Sequence, residues 1–419
     1  MRRASLAAIA ALVVALLAQG SPGADSSSIR RVAVSGQAAP NGGAFDRFSV
    51  ESLPIVAPIN GKGQVAFFAS VVRARASEGF FLSTAARISK LVADGDKVPG
   101  GGVFSGFGRH PVPALNDAGE LAFAATIAGA RAVEGIFVAS SRGVRSVALA
   151  GSAAPDVSSG TFANLDAPAI NHRGEVAFLA TVRRGRESLE AIYLQSGGKV
   201  QKVVAQGDPA PAGGTFAGFG PPSLNGNGLI VFAAVVEGRA VPGGVFVVKD
   251  GGITMLVGAG EDTPDGGIFA KFSERVAVND AGAVAFNAIL KGAPISGAIY
   301  VVVDDRARRV AGLGDAAPGG GVFSHFGLWP ALTASGAVVF AASVDGGPAP
   351  VAVFVAGRGA TSKVASVGDA LPGGGTLVSF GLYPYASTSS AGAITFATAP
   401  DATGAGAEGV FAIDPASGR

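Results

Sequence analysis

The chain has 419 residues, 48% of them hydrophobic and only 15% charged, with 64 glycines, 24 prolines and no cysteine. That much Gly and Pro excludes a mainly helical protein, the apolar content excludes disorder, and glycines without a three-residue period exclude collagen. Lys and Arg number 32 against 30 Asp and Glu, so no basic stripe supports nucleic-acid binding, and without cysteine there is neither a disulfide nor a thiol for lipidation.

Met1-Arg2-Arg3 opens the chain and an apolar run from about Leu6 to Leu17 follows, then the small residues Ala18, Gly20, Gly23 and Ala24. A basic start, a short apolar run and a small-residue exit read as a secretory signal peptide. The run is shorter than the roughly 20 residues that an anchor needs. Residues 1–24 are therefore expected to be removed, with cleavage at about 20–24. Residues 25–419 remain as a single domain without a membrane span, placed outside the cytoplasm as a secreted, periplasmic or cell-surface protein. Loss of Arg2 and Arg3 leaves 30 basic against 30 acidic residues. A monomer is expected.

From residue 30 onward the chain is one unit written seven times. Asn60…Gly63…Phe67 recurs as Asn116…Gly119…Phe123, Asn171…Gly174…Phe178, Asn225…Gly228…Phe232 and Asn279…Gly282…Phe286. Thr333…Gly336…Phe340 and Ser389…Gly392…Phe396 are weaker copies. The glycines are spaced by 56, 55, 54, 54, 54 and 56 residues. Prolines 40, 99, 155, 211, 264, 318 and 372 keep the same beat, each four residues after a Gly. So does a small–apolar–aromatic–apolar run, as in Gly135-Ile136-Phe137-Val138.

Each unit carries four strand signals. Strand a runs into the Asn, as in Ala114-Leu115-Asn116, and Asn-x-x-Gly is a tight turn. Strand b follows, as in Glu120-Leu121-Ala122-Phe123. Strand c is the aromatic run. Strand d is a short apolar stretch such as Lys90-Leu91-Val92-Ala93. Four strands per unit of about 55 residues define a propeller blade. The expected fold is all-β, a seven-bladed β-propeller of four-stranded blades. The segment 30–34 aligns with strand d, and the last unit stops after its strand c, Gly409 to Ile413. The N-terminal strand is thus expected to complete the last blade and to protect its edge.

From about Arg30 to Ile413 these units resemble the bacterial NxxGxxAF tandem-repeat family, on the strength of the Asn-x-x-Gly turn and the Ala-Phe that follows. Thr333 and Ser389 replace the Asn, and Val231, Val339 and Thr395 replace the Ala. The resemblance implies an exported bacterial repeat protein. It supplies no catalytic residues.

Functional residues are sought where the units differ. Between the Phe-x-x-Phe element and the Asn turn they present Glu51, Arg109, His110, Asp166, Glu274, Arg275, Trp329, and Tyr383 with Tyr385. Strand a is innermost in a propeller, so these residues are candidates for a ligand site at the mouth of the central channel, open to a glycan, a small molecule or a protein. The variable loops between strands b and c, with Arg73, Arg75, Arg183, Arg184, Arg186, Arg239 and Lys291, form a second candidate rim. The acids after the turn Gly, such as Asp96 and Asp208, are expected to cap their own turns rather than to hold calcium. Histidines 110, 172 and 325 lack metal-ligand spacing, and no Gly-x-Ser-x-Gly elbow occurs. No cofactor, metal or catalytic set is expected. A carboxylate pair across the channel keeps a carbohydrate hydrolase or lyase as the alternative to a non-catalytic recognition or scaffold protein.

Overall fold

The computed structural model describes residues 29–48, 55–107, 112–211, 213–238, 241–401, 403–406 and 408–414. They form seven antiparallel sheets and no helix. Each sheet is one blade of the propeller. Blade 3 is the most regular, with strands Thr161–Ile170, Val176–Arg184, Glu187–Ser196 and Lys199–Ala205 in that spatial order. Among the described residues no helix is long and apolar enough to cross a membrane.

The ring closes as the repeat alignment demands. Ile29–Val34 pairs antiparallel with Gly409–Ile413 and so becomes the outer strand of blade 7. Ile29, Val32 and Ala33 are buried at this seam. Arg30 adds an ion pair to Asp414 at 3.1 Å.

The repeated aromatics make the core. In blade 2 Phe104 meets Phe137 edge-on at 4.9 Å, and Phe137 stacks on Phe123 at 5.8 Å. The same triad recurs as Phe162, Phe178 and Tyr193 in blade 3 and as Phe216, Phe232 and Phe246 in blade 4. Offset and edge-on pairs of this kind add about 0.5–1.5 kcal/mol each to the apolar burial. Phe68 and Phe80 of blade 1 pack in one cluster with the blade 2 triad, so the ring coheres blade to blade.

The Asn of the repeat does two jobs. Its Oδ1 accepts the backbone N–H four residues on and, in all but Asn279, also the one two residues on, which closes the turn; Asn116 takes those of Ala118 and Glu120. Its Nδ2 donates to the carbonyl of the corresponding residue in the next blade. Asn60, Asn116, Asn171, Asn225 and Asn279 reach Asn116, Asn171, Asn225, Asn279 and Thr333 at 3.0, 2.9, 3.2, 2.9 and 3.0 Å. All five are buried. Five of the seven blade junctions are therefore stitched by one amide each. At the seam between blades 7 and 1, Thr395 occupies the motif Ala position and its hydroxyl donates to the Ala57 carbonyl.

A second set of bonds crosses the junctions nearer the middle of the sheets. In four blades the Glu just before the small residue of the strand c motif accepts a backbone N–H from the innermost segment of the next blade. Glu78 takes Phe107 N–H at 2.7 Å, Glu134 takes Leu165 at 3.0 Å, Glu190 takes Phe219 at 3.1 Å and Glu408 takes Phe48 at 2.6 Å. Each recipient is the last residue of a Phe-x-x-Phe element or its equivalent.

The acids after the turn Gly cap their own turns. Asp96, Asp208, Asp315 and Asp369 accept the N–H three residues back at 2.7 to 2.9 Å. Three of them also pair with a cation on strand d: Lys90 with Asp96, Lys202 with Asp208, and Arg309 with Asp315.

Candidate functional site

The innermost strand is a sheet edge facing the channel, and its central part departs from the ladder. In blades 2, 4, 5 and 6 it is split, as into Ile268–Phe272 and Ala277–Val278 in blade 5. In blade 3 the register slips between Asp166 and Ala169, with Ala167 at φ +45°. Asp166 Oδ1 accepts the Ala167 N–H at 2.6 Å, which holds this bend. Pro113, Pro168, Pro222 and Pro330 stand three residues before the turn Asn or Thr and line the channel. Proline suits such an edge because it presents no N–H that would go unpaired. The channel cavity is about 240 Å³, and Arg275 and Tyr385 are its polar side chains of greatest reach.

Arg275 projects from the irregular segment of blade 5. Its guanidinium lies 5.2 Å from the Trp329 ring centroid, a cation–π contact. Trp329 in turn meets Tyr385 edge-on at 5.7 Å. Burial lowers the Arg275 pKa below its ordinary value, against the opposing pull of Tyr385 and Asp166. An arginine keeps its charge all the same. Among the described residues no carboxylate comes within ion-pair distance of it. Arg275 of blade 5 and Tyr385 of blade 7 thus line the channel, Trp329 of blade 6 packs against both, and Asp166 of blade 3 is near enough to act on the Arg275 charge.

Of the nine candidate residues, Asp166, Arg275, Trp329 and Tyr385 belong to this group. Glu274 does not. Adjacent residues of an extended chain face opposite ways, and Glu274 borders a different cavity, between blades 4 and 5. Tyr383 is exposed, and Tyr385 two residues on takes the channel position. Glu51, Arg109 and His110 lie outside the described residues, as does Arg239 of the rim loops. On that rim Arg184 pairs with Glu187 at 2.8 Å.

Away from the channel, two tyrosine hydroxyls have raised pKa values for structural reasons. Burial, then the charges of Asp156 and Asp208, pushes the Tyr193 hydroxyl up to about 12, and it donates to the Pro155 carbonyl at 3.2 Å. Burial likewise raises Tyr300. Both rings belong to core triads. No group of three or more His, Cys, Asp or Glu among the described residues is placed to hold a metal ion.

Seven antiparallel blades around a proline-lined channel, with a polar and aromatic cluster inside it, define a β-propeller with one candidate ligand site on its axis. The chain belongs to the DUF7453 family, a family of unknown function, which it matches over residues 15–307 and again over 244–418. No curated protein matches it in sequence. Among solved structures it is similar to an oligogalacturonate lyase in complex with manganese, at 13% identity and a TM-score of 0.52, over 93% of this chain and 98% of that one. It is also similar to PorZ, a surface component of the type-IX secretion system of Porphyromonas gingivalis, at 11% identity and a TM-score of 0.50. That match covers 91% of this chain but 48% of PorZ, so the chain spans about half of that protein. At such identities the likeness is one of fold.

Proposed function

We propose that the protein is an exported, non-catalytic recognition propeller that binds a small polar ligand or glycan bearing an anionic group at the channel mouth. One observation carries the reading. A guanidinium held against an indole, with no carboxylate partner among the described residues, keeps its hydrogen-bond donors for a ligand. Trp329 and Tyr385 offer apolar faces beside it, as ligand pockets do. Export rests on the residues 1–24, whose basic and apolar segments have the form of a secretory signal. The carbohydrate hydrolase or lyase reading needs two carboxylates about 5–10 Å apart across one pocket. The two candidate acids among the described residues, Asp166 and Glu274, serve different places, so recognition is favoured over catalysis.

The test is a glycan and small-anion binding screen on the purified mature protein, repeated on Arg275→Gln and Trp329→Ala. A lost hydrogen bond to a charged group costs about 1.5–3 kcal/mol, so Arg275→Gln should weaken the ligand by about ten- to a hundredfold, with the unfolding midpoint as the control for folding. Undiminished binding by both variants removes the channel mouth as the site. Turnover of any glycan found to bind replaces recognition with catalysis. N-terminal sequencing of the exported product tests the first step; recovery of intact Met1 in the cytoplasm counts against it.

A further inference from the structure

The position that holds the cross-blade Glu is not Glu in every unit. Aligned on strand c it reads Glu78, Glu134, Glu190, Gly243, Gly297, Val351 and Glu408. In blade 5 Gly297 leaves room, but Asn287 on the neighbouring strand fills it and donates to the carbonyls of Gly327 and Leu328 of blade 6 at 2.7 and 3.3 Å. In blade 6 Val351 supplies an apolar side chain that packs on the blade 7 core. Blade 4 has neither device. Gly243 lacks a side chain, and the residue aligned with Asn287 is Ala233.

The consequence can be read from two equivalent slots in the same molecule. Between blades 2 and 3 the slot bordered by Phe107, Ala124, Thr126, Glu134, Asn164 and Leu165 holds about 20 Å³. Between blades 4 and 5 the matching residues Phe219, Ala233, Val235, Gly243, Lys271 and Phe272 border about 570 Å³. That volume falls in the ordinary range of small-molecule sites. Its remaining wall is mainly apolar, from Ala234, Pro242, Ala259 and Ala270.

The polar end of the slot is also defined. Ser273 N–H bonds to the Asn287 carbonyl at 2.8 Å, so the preceding pair, Phe272 and Ala288, is a non-bonded rung of the antiparallel ladder. The Phe272 N–H therefore points off the sheet edge, as Phe219 N–H does one blade earlier, where Glu190 receives it. In four blades a carboxylate occupies this place. Lys271, exposed at the rim where the closed slot has Asn164, adds positive charge. Two acids also border the slot: Glu190 on the far side, whose carboxylate is engaged by Phe219 N–H, and Glu274, which is exposed.

We infer that the slot between blades 4 and 5 is a second binding site, separate from the channel mouth, for a small amphiphilic monocarboxylate whose carboxylate takes the place of the missing Glu at Phe272 N–H while its apolar body fills the space beside Ala233 and Val235. The inference does not depend on the channel reading. Its test uses 4-phenylbutanoate and octanoate as probes, titrated by calorimetry into the purified protein, with 4-phenylbutanol as the uncharged control. The blocking variant is Ala233→Asn, which copies the plug that Asn287 provides in blade 5. Gly243→Glu is less suitable, because a Cβ there would fall 2.6 Å from the Ala234 carbonyl oxygen.

The expected result is saturable one-to-one binding of a carboxylate probe, weakened at least about tenfold for the alcohol and at least about tenfold in Ala233→Asn, with an unchanged unfolding midpoint. Equal binding by wild type and Ala233→Asn overturns the inference, as does the absence of saturable binding by either probe. Binding that is lost in Arg275→Gln but kept in Ala233→Asn places the probe at the channel mouth and also overturns it, while leaving the channel reading in force.

Discussion

A chain that begins at Ser35, without the strand Ile29–Val34, is expected to lose cooperative folding. That strand is the lap by which the two ends of the chain close the ring. It pairs with Gly409–Ile413, whose five residues are all buried. Val32 and Ala33 sit in the cluster with Phe45 and Phe67 of blade 1, and Ile29 in the cluster with Phe396 and Phe411 of blade 7. Burial of Ile29 and Val32 alone is worth about 1.5–3 kcal/mol each. The backbone of the uncovered strand then lacks its partners as well. The sum approaches the whole stability of an ordinary domain, about 5–15 kcal/mol. The uncovered strand is also a free edge that invites association. Circular dichroism on heating and size-exclusion chromatography read the outcome. The expected product is aggregated or unfolds over a broad range. A second variant, the full-length chain with Ala33→Asp, places a charge at a site with no exposure and should lower the unfolding midpoint in the same direction. A soluble monomer with the parent midpoint in both cases would mean that the ring does not depend on this lap.

Much of this architecture is legible because the chain states it seven times. Blade number, the four strands of each blade and the closing strand all follow from the spacing of Gly63, Gly119 and their successors and from the missing strand d at the end. The channel cluster is legible in part. Asp166, Arg275 and Trp329 stand out as positions where the units diverge, but divergence does not say which way a side chain points. Glu274 and Arg275 are neighbours in sequence and face different cavities, since the strand breaks beside them and the alternation must be counted from the nearest ladder pair. The choice between Tyr383 and Tyr385 is not legible for a related reason. Blade 7 has only Ala386–Thr388 as its innermost strand, so no flanking ladder fixes the offset. The blade 4–5 slot leaves a trace that only the neighbours interpret. A column reading Glu, Glu, Glu, Gly, Gly, Val, Glu shows variation, but not that Asn287 compensates for one Gly and that, among the described residues, nothing compensates for the other.

The repeat Asn carries a stronger signal than its turn requires, and its second role yields the other large expected effect. Turn chemistry accounts for Oδ1, which bonds within four residues. The Nδ2 partner lies 54 to 56 residues away, one full period, and a sequence displays that only as spacing. In Asn171→Ala four bonds disappear at a site 3% exposed: those accepted from Arg173 and Glu175, and those donated to Glu175 and the Asn225 carbonyl. At a net cost of about 1 kcal/mol per bond, a loss of about 2–4 kcal/mol is expected from denaturant unfolding. Asn171→Asp separates the two roles. It keeps the acceptor and the turn, removes the cross-blade donor, and sets an acid beside Glu175 and the Asn225 carbonyl, so about 1–2 kcal/mol should be lost without any change in turn geometry. Thr333→Asn should act with the opposite sign. The Thr333 hydroxyl closes its own turn through Ala337 N–H at 2.9 Å, and among the described residues it makes no bond to blade 7. An Asn there keeps the turn and gains a donor aimed at the Ser389 carbonyl, worth about 0.5–1.5 kcal/mol. If the stitch stabilises the ring, the three variants order as Asn171→Ala, Asn171→Asp, parent, Thr333→Asn in rising midpoint. An Asn171→Asp protein as stable as the parent would falsify the cross-blade role and leave the Asn as a turn residue alone.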